Sequence, residues 1–165
     1  PNASALEVLS LRLGLVAAAA VEPFAAGRVR LKWPNDLHVG DRKLAGVLVE
    51  ARWRDGRPDW VAIGFGMNVR PPADVPTATG LADGVARLEV LGALVPALRD
   101  AASREGPLAE AELAAFAARD LARGRRCVEP APGVVQGITP SGELLVAREP
   151  GRVEAVRHGS LVFAE

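Results

Sequence analysis

The stretch LKWPNDLHVGDRKLAGVLVE, Leu31 to Glu50, sets Lys, Trp, Pro, Asn and Asp in consecutive positions of a chain otherwise rich in Ala, Leu, Val, Arg and Gly. Pro34 fixes its own φ and pushes Trp33 toward extended geometry, so WPND reads as a rigid strand exit and not as helix. From Val29 to Val69 the texture is of short β-type runs: VRLKW, DLHV, KLAGVLVEARW and DWVAIGFGMNV. Gly40-Asp41 separates the second run from the third, and Asp55-Gly56 the third from the fourth; both pairs favour tight antiparallel hairpins. The expectation is a sheet meander.

Working outward, Ser4-Ala5-Leu6-Glu7 has capping-box spacing. Leu6, Leu9, Leu13, Val16 and Ala20 then recur at helical spacing as far as Pro23, which predicts a helix with one buried face. After the meander, Arg70 to Gly84 carries three prolines and reads as a long loop of the kind that faces ligands. Leu88, Leu91, Val95 and Leu98 continue a helical pattern to about Glu105, with Pro96 expected to kink or break it. Gly106-Pro107 leads into a last helix, Ala109 to about Ala122, that Gly124 can stop. Five short runs follow, CVEP, GVVQGI, GELLVA, RVEAV and SLVF, which suggest a small barrel. A boundary near Leu121 to Gly124 divides residues 1–121 from residues 122–165.

The 165 residues carry 20 basic and 20 acidic side chains. A chain of zero net charge has no global field to draw it to nucleic acid or an anionic membrane, so any anion chemistry is local. No apolar run reaches the roughly 20 residues that cross a bilayer. The single cysteine, Cys127, excludes an intramolecular disulfide and suits a reducing, cytoplasmic setting. His38 and His158 lack metal-spaced partners and read as surface or locally bonded, Cys127 as a buried small hydrophobe, Trp33 as core, and Arg123 to Arg126 as a solvated linker.

Chemistry concentrates around the first hairpin. Its short loop brings Lys32 and Lys43 to one end of the sheet, beside Asn35 and Asp36. Ammonium groups suit phosphate or carboxylate oxygens, a carboxylate suits Mg²⁺, and an amide both donates to and accepts from a nucleotide. No GxxxxGK[ST] is present. In the fourth strand Gly64, Gly66 and Asn68 share one face by period two, leaving a trough where a flat ring could lie with Asn68 at its edge. Leu44, Gly46 and Leu48 in the third strand are fit to wall a slim apolar ligand. Strict alternation puts Lys43 on the opposite face from these three. Either a bulge rotates it, or it enters from the strand end.

KWPNDL, then RKLAGVLVE, then IGFGMNV resemble the successive signatures of biotin protein ligases, and the order of the remaining elements is similar along the whole chain. The resemblance implies an α+β fold, a mixed or antiparallel sheet packed with helices, incomplete at the N-terminus of its catalytic domain and followed by an SH3-like β-barrel. It implies Lys43 as the essential lysine, contacting the biotin carboxylate and the reacting α-phosphate. Lys32, Asn35 and Asp36 would form the nucleotide and metal side, Gly46 and Leu48 the biotin pocket, and Asn68 with Gly64 and Gly66 the adenine site. ATP, biotin and Mg²⁺ would be bound, and the partner would be a biotin carboxyl carrier domain; a homodimer is also compatible. The chain begins at Pro1, and the resemblance implies an Arg/Gly-rich loop upstream of it, within roughly one hundred residues. HGSLVFAE departs from the family pattern, so no nucleotide role passes to His158, Ser160 or Ala164. A lipoate-ligase-like enzyme and a non-catalytic docking or dimerisation module stand as alternatives.

Overall fold

A computed structural model describes residues 3–148 and 151–164, without the side chains of residues 3–5 and 7. The proposed Ser4–Glu7 capping box therefore lies outside the described residues. Helix α1 spans Ala3–Val21 and runs into a 3-10 turn, Glu22–Phe24, which takes Pro23 in its first turn. Strands β1 Val29–Lys32, β2 Asp36–Val39, β3 Arg42–Arg54 and β4 Arg57–Met67 pair antiparallel in chain order. The meander is as the turn chemistry predicts: Gly40 has φ 60, and Asp55 and Gly56 have φ 50 and 74, the left-handed pair that a tight hairpin needs.

Two rows of cross-strand partners explain the sheet. Leu31, Leu37, Ala45 and Met67 stand opposite one another across the four strands and turn toward the core. One residue further along, Lys32, Asp36, Gly46 and Gly66 form the neighbouring row and point the other way, because side chains alternate along a strand. Helix α1 lies between this sheet and helix α2, so Val8, Leu9, Leu11, Leu13, Ala17 and Val21 are all buried, the valines and leucines each contributing about 1.5–3 kcal/mol. Gly14 lets the helix sit close: a Cβ there would already touch Leu31 at 3.6 Å.

Helix α2 runs unbroken over Arg87–Ala102 with Pro96 inside it. Its buried face is Val90, Leu94 and Ala101, while Leu88, Leu91 and Val95 are exposed. Of the four positions whose spacing predicts this helix, Leu98 packs against the core. Helix α3, Glu110–Arg119, ends before the expected Ala122, because Asp120 turns extended, bridges Leu31 and bonds the Ala122 N–H at 2.8 Å.

All five C-terminal runs are strands: β5 Arg126–Glu129, β6 Gly133–Ile138, β7 Leu144–Arg148, β8 Arg152–Val156 and β9 Val162–Phe163. They pair antiparallel in the order β8-β7-β6-β5-β9, with β8 and β9 at the edges among the described residues. The turn between β6 and β7 meets the first sheet through Trp33, whose buried Nε1–H donates to the Gly142 carbonyl at 2.9 Å, and the connection from α3 to β5 meets it through Leu121 N–H, which donates to the Leu31 carbonyl at 2.8 Å. Trp33 is core, as expected.

Candidate functional site

The site is the face opposite α1, where Lys32, Asp36, Gly46 and Gly66 follow one another across the sheet. A β-bulge decides the position of Lys43. Leu37 opposes Ala45 but His38 opposes Lys43, so Leu44 is the extra residue, and the bulge rotates Lys43 onto the face it would otherwise miss. Its Nζ stands 2.6 Å from Asp36 Oδ1 and would lie 3.3 Å from a Cβ at Gly46. Of the two alternatives left by the sequence, the bulge holds.

Lys43, Lys32, Asp36, Gly46 and Gly66 thus come together as expected, and the remaining candidates divide. Gly64 stands opposite Leu48, which is 56% exposed and open to a ligand, whereas Leu44 is buried and borders the groove beside Lys43. Asn35 ties the strand exit to β3, since its Nδ2 donates to the Val47 carbonyl at 2.8 Å and its own carbonyl accepts from Val47 N–H at 2.9 Å. Asn68 borders the bulge, its backbone N–H donating to the Leu44 carbonyl at 3.0 Å. Two open grooves lie nearby. One, of about 290 Å³, is lined by Lys43, Leu44, Gly66, Asn68, Pro72, Val75 and Thr77. The other, of about 460 Å³, is mainly apolar and opens on the α1 side of the sheet, lined by Leu6 and Ser10 of α1 with Pro34, Val47, Val49 and Trp53; Leu48 and His158 also reach it.

Two expectations are corrected here. His38 is 7% exposed and neither ring nitrogen has a hydrogen-bond partner of normal geometry, the Asp41 backbone offering only a weak one. Burial pushes its imidazole below the usual value, Lys32 and Lys43 push the same way, and Asp36 opposes them. Arg125 is not a free linker charge: it pairs with Asp41 at 3.1 Å and lies 3.6 Å over the Phe163 ring, the same ring that Lys32 Nζ approaches at 5.6 Å. The second sheet therefore reaches the cationic corner of the site, which no local sequence pattern could show. Cys127 is buried, as expected, and its thiol is pushed up by desolvation. Among the described residues no group of three or more His, Cys, Asp or Glu could hold a metal ion, and no helix is long and apolar enough to cross a membrane.

Comparison with known proteins follows the same lines. Residues 2–68, which hold α1 and the whole meander, match the biotin/lipoate A/B protein ligase family. The bifunctional ligase/repressor BirA of Escherichia coli is 48% identical over 61 residues, 37% of this chain and 19% of that protein. The biotin--[acetyl-CoA-carboxylase] ligase of Paracoccus denitrificans is 31% identical over 149 residues, covering 77% of this chain and 60% of its own length. The chain thus spans less than two thirds of these curated relatives. In fold it resembles the biotin protein ligase of Aquifex aeolicus, with a TM-score of 0.70 and 21% identity over 99% of this chain and 72% of that one for the complex with biotin and ATP, and 0.78 and 22% over 97% and 76% for the apo structure. A lysine carried by a bulge onto a glycine-floored face stands in a chain whose residues 2–68 are similar to the biotin/lipoate A/B protein ligase family, and whose sequence and fold are similar to those of biotin protein ligases.

Proposed function

We propose that the natural polypeptide to which this chain belongs is an ATP-dependent biotin protein ligase. The observation that carries this reading is the place of the Lys43 ammonium, on the Gly46–Gly66 face beside the groove lined by Gly66, Asn68, Pro72 and Val75. Biotin would lie along Leu48 with its carboxylate toward Gly46, and the adenine over Gly64 and Gly66 beside Asn68. The carboxylate oxygen attacks the α-phosphorus of ATP; the new O–P bond forms as the bond to the β-phosphate oxygen breaks, and pyrophosphate leaves. A lysine amine of a biotin carboxyl carrier domain then attacks the acyl carbon, AMP departs, and the amine's surplus proton passes to solvent.

The first step drives two anions together, so cations fixed in advance are the main means of lowering its barrier. Lys43 supplies one where carboxylate and α-phosphate meet. Its pairing with Asp36 holds the ammonium over Gly46 in the ligand-free state, and an arriving anion takes over that partner. Lys32 supplies a second charge at the phosphate end. A lone carboxylate fits Mg²⁺ that travels on the nucleotide phosphates, with Asp36 giving one oxygen; the ion would spread the charge of the triphosphate. Residues 1–121 are read as the catalytic part, with its Arg/Gly-rich biotin loop expected upstream, and residues 122–165 as an SH3-like β-domain; the five short antiparallel strands support the latter. Chemistry that consumes ATP suits the cytoplasm.

Pyrophosphate exchange into ATP by the full natural polypeptide tests the assignment. Exchange that requires biotin supports it. Exchange that requires lipoate would replace biotin with lipoate, and exchange with neither would leave a docking or dimerisation module.

A further inference from the structure

Asp36 fixes the tip of the Lys43 side chain, and a second device fixes its base. Both backbone groups of Lys43 are bonded to the loop that follows β4: its N–H donates to the Thr77 carbonyl at 2.8 Å, and its carbonyl accepts from Thr79 N–H at 2.8 Å. Ala78 forms a parallel bridge to Lys43 between these bonds. The returning arm of the loop is also anchored beyond them, since Leu81 bridges Ala25 and Ala82 N–H donates to the Phe24 carbonyl at 2.9 Å. An arm held at both ends cannot shift without moving the lysine.

The neck of this loop closes on Gly80. A Cβ there would meet Pro71 N at 2.6 Å, Pro71 Cδ at 2.7 Å and the Arg70 carbonyl carbon at 2.8 Å, closer than real Cβ contacts. Gly80 lies outside the left-handed φ region, so glycine is needed for space and not for conformation. The outgoing arm, Pro72 and Val75, and the returning arm, Thr77, share the wall of the groove that also contains Lys43.

We infer that residues 70–80 are a strap that positions Lys43 for the adenylating step, with Gly80 as the residue that lets its neck close. The inference rests on the nucleotide reading above: a base seated against Pro72 and Val75 presses on the strap that holds the lysine, so filling the groove and setting the ammonium become one event. Thr77, Thr79 and Gly80 are positioning residues, since they act through Lys43. A methyl group at Gly80 must part the neck by roughly 1 Å, and a misplacement of that size costs about 10²-fold in rate at a site that works by alignment.

Two measurements test this in the full natural polypeptide. In the wild type, amide hydrogen exchange is followed with and without a non-hydrolysable ATP analogue. The strap predicts that the Lys43 and Thr79 amides, the two donors of the clamp, slow about tenfold or more together with Asn68. Protection of Asn68 without Lys43 and Thr79 overturns the strap alone, whereas no protection around the groove overturns the nucleotide reading, and the coupling with it. Gly80→Ala is then compared with Gly92→Ala, an added methyl that meets nothing within 4 Å. The expected result for Gly80→Ala is faster exchange confined to Lys43 and Thr79, and kcat for pyrophosphate release down by about 10²-fold with KM for biotin unchanged. Exchange that rises equally in α1 and the strands, or a kcat equal to that of Gly92→Ala, overturns the inference; if Gly80→Ala fails to fold, the wild-type measurement decides.

Discussion

Lys43 is 49% exposed at its side chain, and its partner Asp36 21%, so their ion pair contributes little to folding. Its worth lies in the transition state. Lys43→Ala is expected to melt as the wild type does and to form adenylate about 10²-fold more slowly in single-turnover pyrophosphate release. Lys43→Arg recovers only part of this, because a planar fork does not fit the place of a compact ammonium. Transfer from pre-made biotinyl-adenylate suffers less than adenylation, since the two anions are already joined. The glycines give a second, contrasting pair. At Gly66 an added Cβ meets nothing within 4 Å, whereas at Gly46 it meets Asp36 Oδ1 at 3.1 Å and Lys43 Nζ at 3.3 Å. Gly66→Val should therefore keep or raise thermal stability, a branched residue being better than glycine in a strand, while ATP titration shows KM raised roughly tenfold as the trough fills. Gly46→Ala should instead disturb the Lys43–Asp36 pair and lower kcat. The residues of this face were legible in the motif spacing, but the side on which Lys43 falls was not. That side depends on an extra residue at Leu44, and one inserted residue reverses a period of two without leaving a mark in composition.

Strands and turns were readable because alternation and left-handed turn pairs are local. The existence of helix α2 was readable too, but its buried face was not, and the reason is its composition: Leu88, Val90, Leu91, Leu94, Val95 and Leu98 surround more than one face, so periodicity alone offers two stripes. Packing against α1 selects Val90 and Leu94 and leaves Leu88 80% exposed. The same helix tolerates Pro96, an exposed residue whose ring crowds the carbonyl one turn back, at Gly92. Tertiary cover from α1 outweighs that local cost. Relieving it gives a prediction at the scale of the element: Gly92→Ala should stabilise by about 0.5–1 kcal/mol, and Pro96→Ala by up to about 3 kcal/mol. Urea unfolding of each variant checks both, and activity should not change, since neither position touches the site face. A Pro96→Ala protein less stable than the wild type would mean that the proline itself is needed to seat Val90 and Leu94.

Across the whole molecule, the chain's distant parts are held by buried charge as well as by apolar packing. Arg12, 1% exposed in the middle of α1, bonds Glu112 of α3 through Nε at 2.7 Å and Nη2 at 3.1 Å, and the Pro107 carbonyl at 3.0 Å. Nothing near Arg12 in the sequence announces this, because its partner lies 100 residues away. Arg119 joins Glu22 and the Val29 carbonyl in the same manner. Both glutamates are held below the ordinary value of 4.5, each chiefly by the hydrogen bond from its arginine. A carboxylate with a depressed folded-state pKa binds fewer protons folded than unfolded as the pH falls below the unfolded value. The stability it contributes is complete above about pH 4.5 and is lost as the pH drops through the lower, folded value. Asp120 works against them: burial raises its pKa above 3.8, so its folded form binds a proton more readily, and its contribution improves as the pH falls through the raised value. Glu143, just before β7, is lowered as well, chiefly by its hydrogen bond from Arg157, so with three depressed glutamates and one raised aspartate the acid limb should fall. Glu112→Gln separates charge from hydrogen bonding. It keeps an acceptor near Arg12 but leaves the buried guanidinium without a counter-charge, and should cost about 3 kcal/mol at neutral pH, the lower end for breaking a buried pair because backbone carbonyls still hold the cation. The decisive quantity is the difference between wild type and variant in urea unfolding from about pH 7 down to about pH 3. It should shrink below about pH 4.5, where the wild-type Glu112 is itself losing its charge; a difference that stays constant would mean that Glu112 holds α3 to α1 by shape alone.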